Sequence, residues 1–347
     1  MSNLHPVNSL VTGTDFDLVY TISMLTSEQL KNKKVIIRAD LDVPVKDGRV
    51  ENDYRLEALL PTIGFCLENA RHTLLIGHMG RPEGKDPSLS LAPVQEWLKS
   101  RLNRDIPFIP SGFSPGEWWT GDFPLSLLEN LRFDPGEEKE DREFASRIAT
   151  GADIYIYEAF STYRPCASMR IIPELVPTYT GLRFDKEVTT LAKVLERPEH
   201  PTLLIVSGAK TDKLEIIDRL RPHFDRVLLG GKLAQPQFLT VDGLDLNDGA
   251  ISLFSQEIAK AKMIVFNAPP GVYEDGIHAK GTKSLLLSLK DSSAFTILGG
   301  GDTLAAIPSL GFAYTDYGFV STGGGAMLEY LATGTHPLLE VLKSLKK

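Results

Sequence analysis

The chain has 347 residues, of which 42% are hydrophobic, and its 37 basic and 45 acidic side chains give a formal net charge of −8. This composition supplies a normal folded core and excludes a disordered chain, while the negative charge disfavours a nucleic-acid partner. No apolar run reaches the roughly 18 residues that span a bilayer, and the two cysteines are too few for a disulfide scaffold or a cysteine zinc site. We therefore expect a cytoplasmic protein that binds neither nucleic acid nor a membrane.

Short apolar runs alternate with amphipathic segments along both halves of the chain. The runs that predict buried strands are Val35–Arg38, Thr73–Ile76, Leu125–Leu128, Ile154–Tyr157, Leu203–Val206, Arg226–Leu229, Met263–Phe266, Phe295–Leu298 and Tyr317–Val320. The segments that predict helices are Arg55–Asn69, Leu91–Leu102, Asp141–Ala149, Lys213–Leu220, Ser252–Ala261, Thr282–Leu289, Thr303–Ser309 and Ala326–Ala332. This alternation predicts an α/β fold with mainly parallel sheets and helices on both faces.

A charged amphipathic segment lies between the two halves. Asp185–Leu195 predicts a helix, and the loop Glu196–Pro201 follows it. We interpret this segment as the link between two α/β domains. The predicted domains are residues 1–183 and 184–333, and residues 334–347 are expected to pack back on the first.

Basic side chains follow the predicted strands of the N-terminal half. They are Arg38, Arg55, His78, Arg81, Arg132 and Arg164. Ligands of parallel sheets bind beyond the carboxyl ends of the strands, and arginine forks suit phosphate and carboxylate groups. For any one of these residues a surface salt bridge is the commoner explanation. The six together favour a phosphorylated or carboxylated ligand at this edge.

Glycine-rich turns follow the predicted strands of the C-terminal half instead. They are Ser207–Lys210, Gly230-Gly231, Gly299–Thr303 and Ser321–Gly325. Glycines let backbone N–H groups approach phosphate oxygens, and a helix N-terminus adds positive potential. A single such turn is as often only a tight loop, whereas four at successive strand ends favour a phosphate site. There, Asp302 could hold a phosphate-bound Mg²⁺ and Lys210 could neutralise a transferred phosphoryl group.

The order of these motifs resembles that of the phosphoglycerate kinase family from about Leu25 to Leu339. The segments that carry the resemblance are Arg38–Pro44, His78–Pro82, Leu128–Phe133, Phe266–Glu274, Gly299–Thr303 and Ser321–Ala326. They are similar to the family motifs R-V-D-F-N-V-P, H-L-G-R-P, L-E-N-L-R-F, W-N-G-P-x-G-V-F-E, G-G-G-D-T and S-T-G-G-G-A. Together they are far more specific than any one motif.

The resemblance implies two Rossmann-like three-layer domains that face each other across a hinge cleft. The N-terminal domain would bind 3-phosphoglycerate or 1,3-bisphosphoglycerate through Asp40, Asp42, Arg55, His78, Arg81, Arg132 and Arg164. The C-terminal domain would bind ATP or ADP with Mg²⁺ through Gly208, Lys210, Lys213, Gly230, Gly231, Asn267, Pro269, Gly271, Val272, Glu274, Gly299, Gly300, Gly301, Asp302 and Thr303. Asp302 would be the metal ligand, and the catalytic residues would be Arg55, Lys210, Gly300 and Gly324. The family also implies direct in-line phosphoryl transfer and a monomer.

Several positions depart from the family pattern. Asp42 stands where the family has asparagine, Ala268 replaces a glycine, and Lys232 replaces the third glycine after Gly230-Gly231. Several dozen residues that help to wall the adenine site in the family are missing between Leu239 and Leu244. Reduced nucleotide affinity or an altered base preference is the natural hypothesis.

Three functions remain open at this point. The leading interpretation is an active, shortened phosphoglycerate kinase. The second is a catalytically impaired relative that serves as a ligand-binding or interaction protein, and the third is a kinase for another small carboxylic acid.

Overall fold

The N-terminal half of the chain forms a parallel six-stranded sheet. We describe the protein from a computed structural model, and the description covers residues 25–208 and 214–346. The strands of this half are β1 (Lys34–Arg38), β2 (Val45–Lys46), β3 (Arg49–Val50), β4 (His72–Ile76), β5 (Phe108–Ile109), β6 (Leu125–Leu128), β7 (Ile154–Tyr157) and β8 (Thr178–Thr180). The sheet has the order β5-β6-β4-β1-β7-β8, and β2 and β3 pair separately as an antiparallel hairpin. The central strands are buried on both faces, which explains their unbroken apolar runs.

Helices cover both faces of this sheet. They are α1 (Ser27–Leu30), α2 (Tyr54–Asn69), α3 (Ala92–Leu102), α4 (Arg142–Ala149), α5 (Ala167–Arg170) and α6 (Ile172–Leu175). On one face, Leu56 of α2 belongs to the same buried cluster as Val35 of β1. On the other face, Ile148 of α4 belongs to the same cluster as Ile36 of β1. This half is therefore a three-layer αβα unit.

One long helix, α7 (Leu182–Glu196), joins the two halves. The carboxylate of Glu158, just after β7, accepts hydrogen bonds from the backbone N–H groups of Arg183 (3.0 Å) and Phe184 (2.9 Å) at the start of α7. Farther along the helix, the buried Glu187 accepts hydrogen bonds from the backbone N–H and the hydroxyl of Thr322, at 2.8 and 3.0 Å. The helix is therefore bonded to both halves.

The C-terminal half repeats the αβα arrangement with a five-stranded parallel sheet, in which the first strand along the chain lies second, beside an edge strand, and the last forms the other edge. These strands are β9 (Thr202–Val206), β10 (Arg226–Leu229), β11 (Met263–Asn267), β12 (Phe295–Gly299) and β13 (Phe319–Ser321). Its helices are α8 (Leu214–Leu220), α9 (Asp248–Lys260), α10 (Lys280–Asp291), α11 (Gly301–Ser309) and α12 (Gly324–Thr333). Leu285 of α10 packs on one face with Ile264, and Ile217 of α8 packs on the other with Val265.

The described chain ends in α13 (Pro337–Leu345), which returns to the N-terminal half and contacts α5 and α6. Just before this helix, His336 Nε2 donates a hydrogen bond to the carbonyl oxygen of Phe160 (3.1 Å), and its Nδ1 accepts one from the backbone N–H of Leu338 (3.1 Å). Burial lowers the pKa of His336 to about 3, so this ring is neutral at physiological pH.

The architecture confirms the predicted fold class. The predicted strands agree with the observed ones to within a residue at each end, except that Tyr317–Val320 is observed as Phe319–Ser321. The predicted linking helix is present and is longer at its N-terminus. No helix in the described part of the chain is long and apolar enough to cross a membrane.

Both cysteines of the chain lie inside the N-terminal half. Cys66 on α2 and Cys166 just before α5 are buried and are not joined in a disulfide. Burial raises the pKa of each thiol to about 12. Neither sulfur is therefore present as a thiolate near neutral pH.

Candidate active site

A buried arginine underlies the basic edge of the N-terminal sheet. The sequence predicts that Arg38 faces the ligand with the other five basic residues, and this prediction is wrong, because Arg38 is fully buried. Its guanidinium donates hydrogen bonds to Ser168 Oγ (2.9 Å), to the carbonyl oxygen of Ala39 (2.7 Å) and to His78 Nδ1 (2.6 Å). It also lies 3.9 Å from the carboxylate of Glu137. Arg38 therefore supports the edge from inside the protein.

The bond from Arg38 determines the protonation of His78. Nδ1 of His78 accepts this hydrogen bond, so the proton of the neutral ring is on Nε2. Burial, together with the positive charges of four arginines, lowers the pKa of His78 well below its usual value; these arginines are Arg38, Arg132, Arg55 and Arg81. His78 is therefore a neutral hydrogen-bond donor near pH 7, and the arginines that act on it share one edge of the sheet.

Two carboxylates lie among these cations. Arg55 Nη1 donates to the backbone carbonyl of Asp42 (2.6 Å) and lies 3.5 Å from Asp40 Oδ1. The Asp42 carboxylate accepts a hydrogen bond from the backbone N–H of Gly80 (2.9 Å). Burial raises the pKa of Asp40, and its Oδ2 has no hydrogen-bond partner among the described residues. A buried acceptor of this kind is suited to a hydroxyl group of a ligand.

The remaining basic residues differ in exposure. Arg132 is half-buried, donates to the carbonyl oxygen of Gly80 (2.6 Å) and lies 3.4 Å from Glu138. Arg81 and Arg164 are exposed. Arg164 lies on the loop after β7 and shares no hydrogen bond with the other predicted ligand-binding residues in the described ranges. The structure thus brings Asp40, Asp42, Arg55, His78, Arg81 and Arg132 together and leaves Arg164 at their margin.

In the C-terminal half, the turns after β12 and β13 pack directly on each other. A Cβ atom at Gly324 would overlap the backbone of Gly300, so this position requires glycine. Gly300 itself has φ +112°, in the region that favours glycine. Asn267, at the end of β11, donates from Nδ2 to the carbonyl oxygen of Gly324 (3.1 Å). Thr303 Oγ1 donates to the carbonyl oxygen of Gly299 (2.9 Å). The ends of β11, β12 and β13 therefore meet at two glycine turns whose backbone is not covered by side chains of their own.

The turns after β9 and β10 adjoin this pair. A Cβ atom at Gly230 would lie 2.8 Å from Pro270 Cβ, and one at Gly231 would lie 2.9 Å from the carbonyl oxygen of Gly208. The backbone N–H of Lys232 donates to that same oxygen (3.0 Å), and the Lys232 side chain is exposed. Lys210 and Lys213 lie outside the described residues.

The loop after β11 completes the edge of the C-terminal sheet. Ala268 has φ +70°, a backbone conformation that costs a non-glycine residue about 1 kcal/mol. A glycine adopts this conformation without that cost. Tyr273 donates to the backbone carbonyl of Asp302 (3.3 Å) and so ties the loop to the start of α11. Val272 and Glu274 on this loop, and Asp302 itself, are exposed. Pro269 is half-buried beside them.

The two edges face each other across a short contact. Ser161, on the loop after β7, lies beside the carboxyl group of Asp40, and its Cα lies 2.7 Å from where a Cβ of Gly323 would be. Tyr54, the residue before Arg55, donates a hydrogen bond to the carbonyl oxygen of Val320 in the C-terminal half (2.6 Å). No sequence pattern distinguishes Ser161 or Tyr54, because only the three-dimensional contact between the halves gives either residue a role.

The fold and these two edges define a two-lobed α/β protein with an arginine-lined site opposite a glycine-lined site. The family model for phosphoglycerate kinase matches residues 25–249 and 239–334. The chain is 33% identical to phosphoglycerate kinase from Streptomyces avermitilis over 407 aligned residues, covering 93% of this chain and 99% of the relative. The chain is also 33% identical to phosphoglycerate kinase from Thermus thermophilus over 388 aligned residues, covering 90% of this chain and 97% of the relative.

Solved structures agree with the sequence matches. Phosphoglycerate kinase from Coxiella burnetii superposes with a TM-score of 0.76 at 29% identity, covering 92% of this chain and 98% of that one. The enzyme from Pyrococcus horikoshii has the same fold, with a TM-score of 0.81 at 24% identity. The chain belongs to the phosphoglycerate kinase family. The family model matches in two parts that meet at residues 239–249, which is where the sequence analysis places the missing segment.

Proposed function

We propose that this protein is a phosphoglycerate kinase, which transfers a phosphoryl group reversibly between 1,3-bisphosphoglycerate and Mg-ADP. The observation that carries the proposal is the contact of the arginine-lined edge with the glycine-lined edge through Ser161 and Gly323. Phosphoryl transfer depends mainly on positioning and charge neutralisation, and two facing sites of this chemistry supply both.

The phosphoglycerate would occupy the N-terminal edge. Arg81 and Arg132, with Arg164 at the margin, are proposed to bind its phosphate and carboxyl groups, since guanidinium forks match both. His78 would donate from Nε2, and Asp40 would accept from the substrate hydroxyl through its free Oδ2. We propose that the substrate domain is residues 1–183, with 334–347 packed on it.

The nucleotide would occupy the C-terminal edge, in a domain of residues 184–333. The backbone of Gly208, Gly230, Gly231 and Gly299–Gly301 would approach its phosphates, with Asn267, Thr303, Lys210 and Lys213 beside them. Glu274 would bind the ribose, and Pro269, Gly271 and Val272 would line the base.

The residues of this edge fit Mg²⁺ that arrives with the nucleotide. Asp302 presents one exposed carboxylate in the first turn of α11, and no group of three His, Cys, Asp or Glu side chains in residues 25–208 or 214–346 could hold a metal alone. Mg²⁺ in kinases is commonly held by one or two carboxylates plus the phosphates. When bound, the ion supplies positive charge to the transferring phosphates.

In the transfer step, an oxygen of the ADP β-phosphate would attack the acyl phosphorus, and the carboxylate of 3-phosphoglycerate would leave with the electrons of the broken P–O bond. Arg55, Lys210 and the backbone N–H groups near Gly300 and Gly324 are proposed to stabilise the moving phosphoryl group. The enzyme is expected to work as a monomer in the cytoplasm.

A coupled assay in both directions tests the proposal. We expect wild type to turn over both substrate pairs, and Arg55→Ala to lower turnover on the order of 10²-fold, because it removes a charge partner of the transition state. Arg101→Ala serves as the control, since Arg101 is an exposed arginine paired with Glu57 on the same side of the substrate domain. Equal traces from all three proteins would indicate contaminating enzyme and support the binding-protein alternative.

A further inference from the structure

A histidine is held between two carboxylates beside the nucleotide edge. His278 Nδ1 lies 2.6 Å from Asp275 Oδ2, and His278 Nε2 lies 2.8 Å from Asp242 Oδ2. An ionised carboxylate only accepts hydrogen bonds, so both contacts are satisfied when both ring nitrogens carry protons. The two carboxylates raise the pKa of His278 above its ordinary value. The His278 side chain is 15% exposed, so the group is partly shielded from water.

The bridge connects two segments that other bonds also join. The backbone N–H of Val272 donates to the carbonyl oxygen of Leu244 (3.0 Å), and that of Gly281 donates to Asp245 Oδ2 (2.8 Å). The Asp242 carboxylate is itself oriented by the hydroxyl of Thr240 (2.6 Å). The turn of residues 240–245 therefore supports the loop of residues 271–281.

The loop of residues 271–281 and the turn of residues 240–245 have different roles at the nucleotide edge. The loop carries Val272 and Glu274, which the proposed function assigns to the base and ribose, and Glu274 is the immediate neighbour of Asp275. The turn lies where the family match breaks into two parts and the chain is short. Val241 is fully exposed, so no described residue covers the tip of this turn.

We propose that His278 is a positioning residue for the nucleotide: by bridging Asp242 and Asp275 it holds the loop of Val272 and Glu274 against the short turn. The inference rests on the proposed function, which supplies the role of that loop. His278 acts only through the loop and is not proposed to contact the nucleotide.

The bridge depends on the charge of the imidazole. The groups that face it are Asp242 and Asp245 from the turn and Asp275 from its own loop, with the Asp248–Lys280 ion pair farther along the same edge. Because the pKa of His278 is raised above its ordinary value, the doubly protonated ring persists to a higher pH than in a free histidine, and the bridge is lost as the pH rises through the raised pKa. A neutral ring donates from one nitrogen only and turns a lone pair toward the other carboxylate.

The test compares His278→Gln with a matched variant, His200→Gln. His200 also pairs with a carboxylate, Asp225, at 2.6 Å, but just before β9, at the opposite end of the sheet from the nucleotide edge. The dissociation constant of ADP and the KM of each substrate are measured between about pH 7 and 9 in wild type and both variants, so that the ionisation of ADP itself is common to all three proteins. We expect His278→Gln to raise the ADP constants about 10-fold at pH 7, by losing a hydrogen bond to a charged group, and to leave the KM for phosphoglycerate unchanged.

Wild type and His200→Gln are expected to lose ADP affinity as the pH rises, whereas His278→Gln does not change further. ADP constants within twofold of wild type in His278→Gln at pH 7, or an equal rise in both KM values, would overturn the inference. If wild type binds ADP but transfers no phosphoryl group, the proposed function fails, while weaker ADP binding by His278→Gln still supports the positioning role.

Discussion

Two neighbouring glycines at the start of α12 have opposite surroundings. Gly324 is buried, and an added Cβ would collide with the backbone of Gly300 and lie 2.8 Å from Asn267 Nδ2. Gly325 is exposed, and an added Cβ would have no heavy atom within 4 Å. Alanine at Gly324 disturbs the close contact between two backbone segments and also changes the helix propensity. Alanine at Gly325 changes the helix propensity alone, so comparing the two variants isolates the effect of the backbone contact.

We expect Gly324→Ala to lower kcat on the order of 10²-fold, because the turns after β12 and β13 must move apart and misdirect their N–H groups. Gly325→Ala places the same methyl group one residue later and is expected to keep kcat within about twofold and to stabilise α12 slightly. Steady-state kinetics with both substrates measures the difference. Similar kcat values for the two variants would show that the packed turns do not contribute to transfer.

Side-chain direction is the part of the site that the sequence could not predict. Position after a strand correctly places Asp40, His78 and Arg132 at one edge, because the carboxyl ends of parallel strands meet there. Arg38 is an arginine at the end of a strand, as Arg132 nearly is, yet Ser168 and Glu137 cover Arg38 from distant parts of the chain. No local pattern distinguishes a covered arginine from an open one.

At the scale of elements, the start of α7 depends on one buried carboxyl group. Glu158 accepts hydrogen bonds from the hydroxyl of Thr62 and from two backbone N–H groups of the helix. Burial nevertheless raises the pKa of Glu158 to about 7, against an ordinary value of 4.5. Gly181 precedes the helix, and a Cβ there would overlap this carboxylate, so the joint leaves no room for a larger residue.

The raised pKa of Glu158 predicts how stability changes with pH. Between about pH 4.5 and 7 the folded protein holds a proton on this group that the unfolded chain has lost, so the free energy of unfolding falls as the pH rises. Glu158→Gln cannot titrate there. We expect the stability of wild type relative to this variant to fall by up to about 3 kcal/mol from pH 5 to 8 in urea unfolding.

Glu143→Gln is the control for this experiment, because Glu143 is exposed on α4. It should track wild type at every pH. A Glu158→Gln difference that stays constant from pH 5 to 8 would show that Glu158 is ionised, or protonated, across the whole range.

The sequence predicts the central strands of the N-terminal sheet but not its edge strands. The central strands have four or five consecutive buried residues, which produce an apolar run that the sequence displays directly. The edge strands β5 and β8 have two and three residues, too few for a recognisable pattern, and neither was predicted. The sequence predicts no helix at α13 (Pro337–Leu345), although it does predict that residues 334–347 pack on the N-terminal half.

At the scale of the whole molecule, one buried cluster runs through both halves. It includes Ile36 from the first sheet, Leu204 from the second, and Leu342 from α13. Phe184 lies at the junction, fully buried, with ring centroids 5.9 Å from Tyr157 and 5.0 Å from His336. Helices α7 and α13 are therefore parts of a core that both halves share.

We expect Phe184→Ala to destabilise the protein by about 3–5 kcal/mol, the usual range for emptying a buried aromatic site. Leu182→Ala, two residues earlier in the same helix, is the control, because Leu182 is 50% exposed and should change stability by less than about 0.5 kcal/mol. Calorimetric unfolding measures both. A loss below about 1 kcal/mol in Phe184→Ala would indicate that the halves do not depend on this junction.

The inaccessible sulfur atoms have a practical consequence for measuring the distance between the lobes. Since neither native thiol is available to maleimide dyes, one new cysteine can be placed on the surface of each lobe without first removing Cys66 or Cys166. Energy transfer between donor and acceptor dyes would then report the separation of the lobes in otherwise unaltered protein, molecule by molecule, as each substrate is added.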